Sequence, residues 1–65
     1  MEQKVNLNTA SKDELSRTKS IGPERAERIV RYREENGRFN SVEDVRNVQG
    51  FESERLQDVQ RELTV

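Results

Sequence analysis

An all-α fold is expected, made of two units of helix, tight turn and helix that pack on each other as one compact bundle about a pseudo-twofold axis. Three observations predict it. The 65-residue chain repeats itself, without a gap, at a constant offset of 30 residues. Leu15, Ile21, Ala26 and Ile29 recur as Val45, Phe51, Leu56 and Val59, Ser11 recurs as Ser41, and Asp13-Glu14 recurs as Glu43-Asp44. A period in the range of about 20 to 50 residues marks a duplicated supersecondary unit. Within each copy the apolar residues fall at helical spacing, broken at one place by a turn that contains glycine. Finally, the single proline and the three glycines all lie at expected helix starts, turns or caps, so turn chemistry and hydrophobic period agree.

The elements follow in order. Residues 1–10 form an N-terminal arm, in which Val5-Asn6-Leu7-Asn8 alternates apolar and polar and reads as extended, with Val5 and Leu7 turned inward. Ser11 with Glu14 three positions on is a capping-box pattern and opens a short helix to about Thr18. Lys19-Ser20-Ile21-Gly22 is the first turn. Pro23 suits the first position of the next helix, where no N–H is needed. That helix runs to about Glu35, with Ala26, Ile29, Val30 and either Tyr32 or the stem of Arg33 facing inward. Asn36-Gly37 stops it, because glycine accepts the left-handed cap conformation. Arg38 to Asn40 connects the copies, anchored by Phe39. Ser41, with Asp44 at the capping-box position, opens the second short helix; Gln49-Gly50-Phe51-Glu52 is the second turn; Ser53 caps the last helix, which buries Leu56, Val59 and Leu63. The chain is thus one domain, 1–65, with a first motif over 11–35 and a second over 41–63.

Composition limits what such a domain does. With 29% hydrophobic and 38% charged residues the core is small. There is no cysteine and no histidine, which removes disulfide staples, the usual zinc ligand sets and imidazole acid–base chemistry. No run of 18 apolar residues exists and no signal peptide is visible, so no membrane contact is expected of this segment. The chain reads equally as a small whole protein or as a domain cut from a longer one. Its net charge of −1 hides an asymmetry: residues 12–33 carry seven basic and four acidic side chains, a balance of +3, whereas residues 41–63 carry three basic and six acidic, a balance of −3. The surface field follows this distribution rather than the sum.

Val5-Asn6-Leu7-Asn8-Thr9-Ala10-Ser11, then Ile21-Gly22-Pro23, Ala26 and Ile29, then Tyr32-Arg33-Glu34-Glu35-Asn36-Gly37 and Phe39 together resemble the tandem helix-hairpin-helix DNA-binding domain of the ComEA-type competence proteins. The resemblance covers residues 5–65. It implies a compact bundle of two helix-hairpin-helix motifs, a role in DNA uptake and non-specific binding of DNA, in duplex form. Similar folds also serve in DNA repair enzymes and polymerases, and in a photosystem II subunit that resembles the fold turned to protein contacts.

The physical basis is direct. A helix N-terminus offers free N–H groups and a partial positive charge, and a turn of small residues lets a phosphate reach them. Such contacts position the backbone and read no bases. The candidate binding residues are Lys19, Ser20, Ile21, Gly22 and Arg25 at the first hairpin, and Gly50 and Arg55 at the second. In each case there is a plainer reading. Gly22 also serves as a helix cap, Gly37 is a cap only, and Gly50 is more structural than functional. Ile21 and Phe51 are core residues at the hairpin tips. Lys19 and Arg25 either reach phosphate or belong to a solvated face. Arg28 and Arg31 lie four residues after Glu24 and Glu27 and form surface ion pairs. Tyr32 packs rather than stacks on a base, and the paired carboxylates at 13–14 and 43–44 complement helix dipoles.

Family hairpins resembling these read Gly, apolar, Gly. Here the first is Ser20-Ile21-Gly22, with Lys19 where the family often has proline and Thr18 where leucine is common. The second is Gly50-Phe51-Glu52, which sets a carboxylate where a phosphate would approach and where it competes for the same N–H donors. DNA contact is therefore weighted to the first hairpin. Family hairpins sometimes hold a monovalent cation on backbone carbonyls; the sequence speaks neither for nor against this, and no cofactor is expected. No nucleophile–base pair or metal cluster suggests an enzyme. The alternative is a structural or protein-interaction module that keeps the fold without DNA binding, with a protein partner or the rest of a longer chain as its ligand.

Overall fold

The computed structural model describes residues 4–65, so the first three residues of the expected arm lie outside the described residues. The order is strand β1 (Val5–Asn6), helix α1 (Lys12–Ser16), helix α2 (Gly22–Asn36), a 3₁₀ segment (Val42–Asn47), helix α3 (Leu56–Glu62) and strand β2 (Leu63–Thr64). The fold is mostly helical, as the 30-residue repeat predicts, with one amendment. The ends of the chain pair as a two-stranded parallel ribbon, Val5 opposite Leu63 and Asn6 opposite Thr64, and the Leu7 N–H donates to the Thr64 carbonyl at 2.8 Å. β1 leads into buried Leu7 and β2 opens on buried Leu63, and the ladder gives backbone groups there partners inside the domain.

The repeated apolar positions form a common core. Leu15, Ile21, Ala26, Ile29, Val45, Phe51 and Val59 are all buried, and Leu56 is half-buried against them. The arm contributes Leu7 and Ala10, and the connector contributes Phe39, whose ring stacks on Tyr32 with centroids 5.0 Å apart. Asn8 joins arm to connector through both ends of its amide: Phe39 N–H donates to Oδ1 at 2.7 Å, and Nδ2 donates to the Phe39 carbonyl at 3.0 Å. Asn6 shapes the turn before it, with Oδ1 accepting from Asn8 N–H at 2.8 Å. Arg33 donates to the Leu7 carbonyl at 3.0 Å, so its guanidinium faces the arm.

The two copies differ in execution. In the first, Ser11 Oγ accepts from Glu14 N–H at 3.1 Å, the expected cap, and α2 starts with Gly22 and Pro23. In the second, Ser41 makes no side-chain cap. Asp44 instead turns its carboxylate back to the Asn40 N–H at 2.9 Å, while its own N–H donates to the Ser41 carbonyl at 3.1 Å. That three-residue closure makes the segment 3₁₀ rather than α. Ser53 does not cap the last helix. Glu54 N–H closes a turn onto the Phe51 carbonyl at 3.2 Å, which delays the helix start and puts Arg55 at the cap position.

Candidate nucleic-acid interface

The first hairpin joins α1 to α2 and is wound on one carbonyl. Thr18 O accepts from Ile21 N–H at 2.9 Å and from Gly22 N–H at 3.2 Å. Thr18 is buried at the position where leucine is common in hairpins of the family, and its hydroxyl donates to the Glu14 carbonyl at 3.2 Å, which satisfies it. Gly22 has φ of +74°, a region that only glycine occupies freely, and nothing lies within 4 Å of where a Cβ would stand. Glycine is thus needed for the backbone turn, and the surface beside it is open. Ile21 is buried and anchors the tip.

The donors at this hairpin are differently distributed from the simplest expectation. The N–H groups of Ile21 and Gly22 are engaged by Thr18, and Pro23 has none. Among the described residues, Ser20 and Glu24 have backbone N–H groups with no protein acceptor. Lys19 is exposed and has no ion-pair partner among the described residues. The Ser20 hydroxyl is buried without a hydrogen-bond partner. Among the described residues only glycines have positive φ, so Ser20 keeps ordinary backbone geometry in place of the leading glycine.

Arg25 is the hub of the region. One guanidinium nitrogen donates to the Ser20 carbonyl at 2.9 Å and to Glu54 Oε1 at 3.1 Å, and the guanidinium carbon lies 4.8 Å from the centre of the buried Phe51 ring. It therefore ties the first hairpin to the tip of the second, with part of its charge balanced by Glu54. Arg28 also crosses over, donating to the Gln49 carbonyl at 3.4 Å while pairing with Glu24 at 3.4 Å; Arg31 pairs with Glu27 at 3.6 Å. The spacing of the charges foretold the two helical pairs. It did not foretell the crossings to Ser20, Glu54 and Gln49, although the repeat register, which sets Glu24-Arg25 on Glu54-Arg55, was the available signal.

The second hairpin is closed. Gly50 has φ of +101°, and a Cβ there would sit 3.0 Å from Arg28 Nη1. Its N–H donates to Glu52 Oε1 at 2.8 Å. The Glu52 carboxyl is held below its ordinary range by its own backbone N–H and that of Gly50, with Arg28 adding a smaller electrostatic pull. Glu52 thus places its own negative charge on the turn. Arg55 is exposed at the start of α3, without an ion-pair partner among the described residues. The structure accordingly brings Lys19, Ser20, Ile21, Gly22 and Arg25 together at one hairpin, joins Gly50 to them through Arg25 and Arg28, and sets Arg55 beyond the next turn.

Among the described residues no helix is long and apolar enough to cross a membrane. Comparison with known proteins matches residues 1–64 to a family described as the helix-hairpin-helix motif. The chain is 43% identical over 61 residues to ComE operon protein 1 of Bacillus subtilis strain 168, covering 94% of this chain and 30% of that protein. It is 36% identical over 64 residues to endonuclease/exonuclease/phosphatase family domain-containing protein 1 of Xenopus laevis, covering 98% of this chain and 12% of the relative. An uncharacterized protein of Haemophilus influenzae is 43% identical over 49 residues, covering 74% of this chain and 44% of its own length. The chain therefore spans less than half of each of these three relatives. With hairpin turns between helices in the structure and a family match along nearly its whole length, this chain belongs to the helix-hairpin-helix motif family.

Proposed function

We propose that this domain binds DNA without sequence preference, by holding backbone phosphates at its first hairpin. Family membership supports DNA binding in general. One observation supports the finer reading: the first hairpin presents open donors beside an exposed lysine, whereas the second presents a carboxylate on its own N–H. In this reading Lys19 supplies charge, Ser20 supplies its N–H, and Ile21 and Gly22 hold the turn that exposes it. Arg25 fixes the Ser20 carbonyl and adds a partly balanced positive charge. Gly50 and Arg55 contribute a minor share. The pseudo-twofold relation of the two motifs belongs to this proposal; the gapless repeat and its shared core support it. The partner is duplex DNA, and the domain itself performs no catalysis.

A second reading has its own support. Glu52, Glu54 and the acidic balance of the second motif favour a structural or protein-interaction module that keeps the fold and leaves DNA alone. Titration of labelled duplex at increasing salt separates the two. If about 2 to 4 phosphates are neutralised, log K falls with log[salt] at a slope of roughly −2 to −4, equally for unrelated sequences. Binding that ignores salt, or that strongly prefers one sequence, contradicts the proposal. Absence of binding at low salt leaves the interaction module.

A further inference from the structure

The second hairpin already contains an anion. Glu52 Oε1 sits 2.8 Å from the Gly50 N–H, the donor that the family resemblance assigns to phosphate. The two hairpins abut, because Arg25 holds the Ser20 carbonyl of one and lies over the Phe51 ring of the other. A pair of adjacent hairpins with open donors meets two phosphate rows and so recognises a duplex as a duplex. Here the donor at the leading position of the hairpin is open in the first, at Ser20, and taken by Glu52 in the second, at Gly50. Arg28 reinforces the closure, since its guanidinium reaches the Gln49 carbonyl and stands beside Gly50. Arg25 cannot substitute for the missing donor, being shared between Ser20 and Glu54.

We infer that the domain grips a single phosphate row and therefore takes single-stranded DNA about as well as duplex, with Glu52 as the residue that removes duplex preference. This rests on the DNA-binding reading above and widens its substrate class from duplex to either form of DNA. The second strand adds no contact that the protein can use, and backbone recognition reads no base edges that pairing would present or hide. What remains of a duplex advantage is its denser counterion atmosphere, which steepens the salt dependence only from about −0.7 to −0.9 per phosphate.

The test is fluorescence anisotropy with one short labelled strand, free and annealed to its complement, against the chain and its Glu52→Gly and Glu52→Gln variants. Circular dichroism confirms that each variant is folded. The chain itself is expected to bind the two ligands within about threefold of each other at one low salt concentration. Glu52→Gly frees the turn and is expected to favour duplex by about tenfold or more, the size of one charge-assisted hydrogen bond. Glu52→Gln, which keeps the acceptor and loses the charge, is expected to fall between them. A tenfold duplex preference already present in the unaltered chain, and unchanged in Glu52→Gly, overturns the inference and leaves DNA binding standing. Failure of the unaltered chain to bind either ligand overturns the functional reading itself.

Discussion

The two hairpins of this domain descend from one repeated pattern and reach opposite states. Each has an apolar tip in the core, Ile21 in one and Phe51 in the other, and each has a single glycine at positive φ. The glycine is third in Ser20-Ile21-Gly22 and first in Gly50-Phe51-Glu52, so the flexible position has moved across the tip. After Gly22 the chain enters a 15-residue helix at once, with Pro23 in its first turn. After Gly50 the carboxylate of Glu52 returns to the glycine N–H, a further turn intervenes, and a 7-residue helix follows from Arg55. The comparison teaches that the fold and the openness of the turn are separable. The buried tip preserves the fold, while the residue at the third position decides whether the turn is open or filled by the protein itself.

The strongest way to break this comparison is to stiffen each glycine in turn. Gly22→Ala and Gly50→Ala both force a Cβ into left-handed backbone, at a cost of about 1–2 kcal/mol each. For a domain of this size that lowers Tm by roughly 4–8 °C per kcal/mol. Gly50→Ala also pushes the Arg28 guanidinium from its place 3.0 Å away, which a flexible side-chain end accommodates. The stability losses should therefore be similar and the binding losses unequal. DNA affinity is expected to fall for Gly22→Ala and to fall much less for Gly50→Ala. Equal losses of affinity would erase the distinction between the hairpins.

A smaller effect sharpens it. The Glu52 carboxyl is lowered chiefly by its own N–H and that of Gly50, so its contribution to stability is present above the unfolded value of about 4.3 and is lost as pH falls through the folded value. Carbon-detected NMR of the Glu52 carboxyl is expected to give a midpoint below about 4.3, with the Gly50 amide proton following the same curve. A midpoint at or above that value would mean that the turn does not hold the carboxylate.

Much of the fold was legible because it rests on period and punctuation. The repeat located the core, the capping box and the lone proline located the Ser11 cap and the start of α2, and the charge spacing located the pairs of Arg28 with Glu24 and Arg31 with Glu27. What escaped the sequence depends on tertiary reach. Nothing in the linear pattern of Val5-Asn6 announces its partner Leu63-Thr64, nor does Asn8 announce both polar groups of Phe39, 31 positions away. The site was legible in outline: Glu52 was suspect from its place in the turn, and the structure puts its carboxylate on the Gly50 N–H. Arg25 looked like a free cation beside the first hairpin because its partners, Phe51 and Glu54, belong to the other copy. Ser53 looked like a cap because a turn of Phe51 to Glu54 cannot be distinguished by residue type from the first turn of a helix.

The asymmetry of the two hairpins is the central claim, and amide chemical-shift mapping with a short duplex at low salt tests it most directly. The perturbed amides are expected to cluster over residues 19–25, led by Ser20 and Glu24, the turn positions whose N–H groups have no acceptor among the described residues, with Gly50 and Glu52 little changed. Perturbations centred on residues 50–55 instead, with the first hairpin silent, would contradict it.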